Sequence, residues 1–468
     1  MLSCKFGAVP KVPSDGTSPQ VYPSVRHGRR MHNSLSALSL FMPLAGYIIP
    51  GLQILLLSFR VDAKDVFAHF MVQNSYSYTK SDWAADISAA QAIGIDGFAL
   101  NTAVDSYEQT KYPDAFAAAQ AADFELFISF DMTYEWETTD MVNLVKQYAS
   151  SSNYYKWEGK PLVSTFGGDS DSNDFWTTFK TDLANAGISI SLAPAFVDYR
   201  EPDEATQMFS NFTAIDGFFN WWSWPADENA NLTTDTDLAY KKALSSAGRS
   251  GPYIMSVSPW QFKELGDGQD WVEQCDTLWE YRWQQAIHDV EPDIVEILTW
   301  NDYGESHYIS DINPIVNLGD LAPLYVNGFD HSGWRTMAKY YISWFKNGTA
   351  PAIEEDKVIY WYRVHPKSIT CSQGALPRNS QFPEDAVFAF SMLKSAANIS
   401  LTIGESTTTY DSGKGVAIGS VPFSQKDGQK PVIEIMRDGQ TVKSGTGSKT
   451  INTTNCDYYN FNTFVGVV

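Results

Sequence analysis

The residues best equipped for chemistry form one run, Trp300-Asn301-Asp302-Tyr303-Gly304-Glu305-Ser306-His307-Tyr308. It holds two carboxylates three residues apart, with an imidazole, an amide and three large rings around them. It follows Ile294–Trp300, an apolar stretch whose one charge is Glu296. Such a set suits acid–base work on a neutral, hydroxyl-rich substrate. One carboxyl gives a proton to a leaving oxygen, and the other serves as base or nucleophile. A third carboxylate, Asp131, follows the apolar run Leu126–Phe130. Any one of these Asp residues alone reads as a surface charge or a helix cap; their clustering with rings is what points to a site. Three residues of spacing on a loop leave the distance between the two carboxyls open. There is no nucleophile elbow with a Ser-His-Asp order, no Gly-rich phosphate loop and no zinc-like His/Cys spacing. No metal or organic cofactor is expected.

These residues need a frame that brings them to one place. From Asp65 onward, short apolar runs alternate with helical patterns. The runs are Val66–Val72, Gly97–Leu100, Leu126–Phe130, Leu162–Phe166, Ile188–Ala195, Gly217–Trp221, Tyr253–Val257 and Ile294–Trp300. Helix candidates between them include 81–93, 112–122, 139–150, 173–186, 236–247 and 269–290, with Ser81, Asp82 and Asp174 as capping residues. Eight parallel βα units predict a (β/α)8 TIM barrel over 65–346, near the usual size of roughly 250 residues. Sites in this architecture lie at the C-terminal strand ends. Those ends deliver His69, Asn101, Asp131, Tyr134, Trp221, Trp222, Trp224, Trp260 and the 300–308 run. The expected substrate contacts are therefore His69, Asn101, Tyr134, Trp221, Trp222, Trp260, Trp300, Asn301, Tyr303, His307 and Tyr308. His69 has an equal claim as a satisfied core histidine. The repeated Ile-Asp-Gly-Phe of 95–98 and 215–218 opens two strands, which places Asp96 and Asp216 on the face that stabilises rather than reacts.

After a junction at 347–357 the texture changes. Residues 358–468 alternate apolar and polar positions between Gly, Ser, Thr and Asp clusters, which predicts an antiparallel β-sandwich. The short junction favours a domain that braces the barrel over one tethered to it.

Charge narrows the partners. The 468 residues carry 33 Lys and Arg against 55 Asp and Glu, a net of −22, which argues against nucleic acid and anionic membrane. With 27 Phe, 24 Tyr and 15 Trp, the chain has rings enough for a sugar platform or for an aromatic core, and composition does not choose between them. Residues 31–59 hold no Asp, Glu, Lys or Arg and follow three arginines, a pattern of a secretory signal or signal anchor within a leader of 1–63. The sequons at Asn211, Asn231, Asn347, Asn398 and Asn452 agree with secretion. In an oxidising compartment Cys371 and Cys456 can pair, whereas Cys275 reads as a buried hydrophobe in a helix and Cys4 belongs to the leader. The expectation is a secreted monomer without stable membrane insertion.

Three stretches, 66–72, 254–260 and 299–308, resemble glycoside hydrolase family 71, the fungal α-1,3-glucanases or mutanases. The likeness continues to Cys456-Asp457-Tyr458-Tyr459-Asn460-Phe461-Asn462. Gln73 and Ser256 depart from it, standing where the family has Gly. The resemblance implies hydrolysis of α-1,3-glucosidic bonds with inversion, Asp302 and Glu305 as the catalytic pair and Asp131 as a third essential carboxylate. Glu305 is expected as the acid and Asp302 as the base. The readings kept beside it are a barrel hydrolase for another α-glycoside, such as an α-mannoside, and a non-catalytic carbohydrate-binding wall protein.

Overall fold

The computed structural model describes residues 64–266 and 268–468. The leader, its apolar segment and Cys4 lie outside them. Eight strands make a curled parallel sheet: β1 (Asp65–Met71), β2 (Gly97–Thr102), β3 (Glu125–Asp131), β4 (Lys160–Phe166), β5 (Ser191–Ala195), β6 (Phe218–Asn220), β7 (Tyr253–Val257) and β8 (Ile294–Ile297). Their order is β6-β7-β8-β1-β2-β3-β4-β5. Between the two ends of this series, the amides of Asp216 and Gly217 donate to the Leu192 carbonyl at 2.8 and 2.9 Å. The apolar runs are buried on both faces, as parallel strands covered by helices must be.

The repeated Ile-Asp-Gly-Phe has a local cause. Asp96 accepts from the Val66 amide and pairs with Lys346, while Asp216 accepts from the Leu192 amide and pairs with Lys180. Each Asp thus ties the start of its own strand to a neighbour and to a helix. The next residue must be Gly: a Cβ on Gly97 would lie 2.4 Å from the Glu125 carbonyl, and one on Gly217 2.4 Å from that of Pro252.

The covering helices include α1 (Lys80–Gln91), α2 (Tyr112–Ala122), α3 (Thr138–Tyr148), α4 (Asn173–Asn185), α5 (Ala205–Asn211), α6 (Asp235–Ser246), α7 (Leu278–Gln285) and α8 (Ser332–Asn347). Two caps differ from expectation. Thr79 begins α1 with Asp82 reaching back to its amide, and Ser172 begins α4 by accepting from the Phe175 amide. The expected Asp residues sit one turn inside, where they face the positive end of the helix. The expected helix at 269–290 starts only at Leu278. Before it, Phe262–Lys263 and Trp271–Val272 pair as a short antiparallel hairpin, and Cys275 is buried in the connection.

The C-terminal strands are β9 (Lys357–Arg363), β10 (Ala386–Leu393), β11 (Ala397–Ile403), β12 (Ser406–Ser412), β13 (Gly415–Pro422), β14 (Val432–Arg437), β15 (Gln440–Thr446) and β16 (Thr463–Val467). They form two antiparallel sheets, β13-β10-β9-β16 and β12-β11-β14-β15. Val358, Tyr360 and Val387 of the first sheet share an apolar cluster with Ile399, Leu401 and Ile433 of the second. The opposite face of the first sheet, Ile359, Trp361, Phe388 and Phe390, joins the core of the parallel sheet and its helices. Trp361 packs on Trp334 of α8 at 4.9 Å, and its indole donates to the Asp276 carbonyl. Cys371 and Cys456 are joined in a disulfide.

Strand β9 is therefore buried on both sides. Deleting 358–468 would remove Trp361 and Phe390 from Trp334 and Tyr341 of α8 and bare apolar surface there. The truncated chain is expected to aggregate on expression; recovering it as a soluble protein with a cooperative thermal transition would contradict this account.

Candidate active site

The β8 strand ends at Ile297, and the chain then makes a closed loop. The Thr299 amide donates to the His307 carbonyl at 2.9 Å, and the Ile309 amide donates to the Thr299 carbonyl. Ser306 takes φ 63°, a left-handed conformation that costs a non-glycine residue strain. Inside the loop the Asp302 amide donates to Thr299 Oγ1, and Asp302 Oδ1 accepts from the Glu305 amide. These bonds turn both carboxylates to the same side. One oxygen of Asp302, one of Glu305 and one nitrogen of His307 lie within 4.8 Å of one another.

Electrostatics set the two acids apart. His307 Nε2 stands 3.1 Å from Glu305 Oε2 and 3.7 Å from Asp302 Oδ2. Gln261 Nε2 donates to the same Glu305 oxygen at 3.2 Å. Burial alone would raise Glu305, but the hydrogen bond and charge of His307, with Lys263 behind, outweigh it and hold Glu305 below the usual carboxylate range. Asp302 moves the other way: burial raises it, the Glu305 charge adds to the rise, and His307 offsets only part. The expected roles, Glu305 as acid and Asp302 as base, would call for shifts in the opposite directions.

The other anticipated residues divide by exposure. Asp302 and Glu305 keep 19% and 15% of their side chains open, and Trp221, Trp222 and Tyr134 are half-buried. Asp131 ends β3 nearly buried. It accepts from the Thr133 amide and hydroxyl, and burial raises its pKa. His69, Trp260, Trp300, Asn301, Tyr303, His307 and Tyr308 are buried to 2% exposure or less, and Asn101 to 4%. Their contacts are mostly to the frame. Asn301 exchanges hydrogen bonds with the Met71 backbone, Tyr303 donates to the Asp311 carbonyl, and Tyr308 stacks on His331 at 4.0 Å. The Trp260 indole donates to the Phe461 carbonyl, which ties the 456–462 segment to the site. Gln73 donates to the Tyr134 hydroxyl, and Ser256 Oγ donates to the Trp221 carbonyl.

Sequence reasoning missed several supporting residues. Gln261 and Lys263 follow Trp260 directly, and a lysine in so apolar a run was the available signal. Glu296 was noted as the one charge of its strand; its Oε1 lies 2.6 Å from His69 Nδ1, both side chains fully buried. The His69 ring in turn meets Trp221 edge-on at 4.9 Å. Asp237 accepts from Arg282, Asn220 and Tyr253 beneath the Trp221–Trp222 turn, a network that no local pattern announces.

A cation has two sets of donors among the described residues: Asp302, Glu305 and His307, and His365 with Cys371 and Cys456. The thiols of the second are taken by the disulfide. In the first, His307 and Lys263 already face the carboxylates.

Two predictions follow from this charge arrangement. Glu296→Ala leaves His69 buried without its partner, and is expected to cost about 3–5 kcal/mol in denaturant unfolding; a loss under about 1 kcal/mol would mean that the pair is worth no more than a surface contact. The second concerns pH. Burial pushes Glu108 and Asp276 up to about 7 and Glu273 up to about 8. The folded chain then holds protons that the unfolded chain has released, so stability falls as pH rises from about 5 to about 8. The melting temperature is expected to be at least about 3 °C lower at pH 8 than at pH 5; an equal or higher value at pH 8 would refute the assignment.

Comparison with known proteins places residues 62–468 in a match to the model of glycosyl hydrolase family 71. The chain is 36% identical over 418 residues to a glucan endo-1,3-alpha-glucosidase of Schizosaccharomyces pombe, covering 86% of this chain and 95% of the relative. It is 35% identical over 423 residues to a mutanase of Penicillium rubens, covering 88% and 90%. Among solved structures, a GH99 endo-alpha-mannosidase of Bacteroides thetaiotaomicron aligns with TM-score 0.47 and 11% identity, over 60% of this chain and 97% of that one.

Proposed function

Because the chain belongs to glycosyl hydrolase family 71, we propose that it is a secreted endo-acting hydrolase of α-1,3-glucan. The observation that carries the reading is the opposed pair on one loop, Asp302 raised and Glu305 lowered, both partly open to solvent, with Trp221, Trp222 and Tyr134 half-buried beyond the ends of other strands. A carboxyl whose pKa is raised holds its proton to higher pH than its ionised neighbour, and can give it to the leaving glycosidic oxygen. Asp302 is therefore the acid. Glu305, kept ionised by His307, is the base that takes a proton from the attacking water. The frame is read as a (β/α)8 barrel with a bracing β-sandwich. All five sequons are exposed, which agrees with export. Among the described residues no helix is long and apolar enough to cross a membrane. The family relatives favour glucan over a mannoside, and an enzyme over a wall-binding module.

One distance favours a second assignment of the base. Inversion calls for carboxyl groups about 6.5–9.5 Å apart, whereas the nearest oxygens of Asp302 and Glu305 lie within 4.8 Å. Asp131, three strands away around the sheet, is the other carboxylate at a strand end.

The test uses purified protein and insoluble α-1,3-glucan. Native protein is expected to release reducing ends, with a loss of at least about 1,000-fold in Asp302→Asn. Product NMR should show the β-anomer first. Azide added to Glu305→Ala and Asp131→Ala identifies the base, since only the variant lacking it should form a β-glucosyl azide. Native turnover no greater than that of an Asp302→Asn, Glu305→Gln double variant would end the proposal.

A further inference from the structure

The turn that follows β1 (residues 72–75) runs directly along the catalytic loop. Asn74 Nδ2 donates to the carbonyl of Asn301, the neighbour of Asp302, at 2.8 Å. Two residues on, Tyr76 stands 67% exposed, the most exposed of the large hydrophobic side chains among the described residues. An exposed ring is ordinary when it is loose. This one is built in. Tyr107, from the loop after β2, meets it edge-on at 4.9 Å with the planes 70° apart. The Tyr107 hydroxyl donates to the Gln73 carbonyl at 3.2 Å, and Gln73 Nε2 donates to the Tyr134 hydroxyl at 2.7 Å. Lys111 lies 6.0 Å from the Tyr76 ring centre and donates to the Tyr78 carbonyl. The loops after β1, β2 and β3 are thereby linked into one rim that ends in a held aromatic surface.

From this we infer that Tyr76 is an outer sugar subsite, stacking a glucosyl unit of the same α-glucan chain beyond the bond being cut. The inference rests on the glucanase reading and adds where a long substrate is gripped. The surface is a single ring bordered by hydroxyl, amide and ammonium groups. That is too small for a protein interface, which needs several hundred Å2 on each side. It suits the flat C–H face of a pyranose, with polar groups placed for the hydroxyls around its edge. Asn74, two residues before Tyr76, is bonded to the carbonyl of Asn301 next to Asp302, so the rim is tied directly to the loop that carries the carboxylates.

The experiment compares kcat/KM on short and long α-1,3-gluco-oligosaccharides for wild type, Tyr76→Ala and Tyr76→Trp. Tyr76→Ala is expected to lower the long-to-short ratio about tenfold through KM, and Tyr76→Trp to restore it. In an Asp302→Asn background, adding Tyr76→Ala should weaken sedimentation with insoluble glucan, a readout that needs no turnover. An unchanged ratio in an active enzyme would overturn the subsite alone. Equal losses at every length would also overturn it, since Tyr76 would then serve the fold or the chemistry. A wild type inactive on every α-1,3-glucan would remove the glucanase reading and the subsite with it.

Discussion

Two carboxylates whose nearest oxygens lie within 4.8 Å of one another cannot both be ionised in a confined site unless positive groups or donors face them. Everything around the loop at 299–309 answers to that constraint. His307 is delivered by the same loop and placed closer to Glu305 than to Asp302. The segment before Cys275 brings Gln261 to Glu305 Oε2 and carries Lys263, whose charge favours both ionised carboxylates. The asymmetry of these contacts, rather than the identity of Asp or Glu, raises Asp302 and lowers Glu305.

The position of His307 is itself held from outside the parallel sheet. Trp224 meets its ring at 5.3 Å, and the Trp224 indole donates to the Trp260 carbonyl. Trp260 donates to Phe461, and Asn462 donates to the Tyr325 carbonyl. His331, which stacks on Tyr308, lies 3.0 Å from the Thr463 carbonyl through its second nitrogen. A chain of contacts thus runs from the carboxylates to β16. The C-terminal sheets support the 299–309 loop as well as covering part of α8.

What was legible in the sequence follows from what is local. Strands buried on both faces must be apolar runs, so all eight could be located from Val66 to Ile297. The acids were legible because a polar, ring-rich run follows an apolar strand. Boundaries were less so: the helix expected at 269–290 hid a hairpin, because Trp271, Val272 and Cys275 continue the apolar spacing of α7 while pairing or packing elsewhere. Glu296, Asp237 and Arg282 were not legible as partners, since each finds its counterpart on another strand or helix, 227 residues away in the case of His69 and 45 between Asp237 and Arg282. Long-range pairing leaves no periodic trace.

The aromatic content resolves in the same way. Eight tryptophans, Trp83, Trp176, Trp260, Trp279, Trp283, Trp300, Trp334 and Trp361, are among the largest fully buried side chains. Their burial stabilises the frame, at roughly 25 cal/mol per Å2 of apolar surface removed from water. A smaller group of rings, among them Trp221, Trp222, Tyr134 and Tyr76, keeps surface open near the strand ends. An indole or phenol in the core needs a partner for its polar atom, and Trp260 and Trp361 find theirs in backbone carbonyls across the junction between the two halves of the fold. The same residue type therefore does two jobs that composition could not separate. Inside, the rings hold the 299–309 loop in register with the C-terminal sheets; beyond the strand ends, others stay partly uncovered.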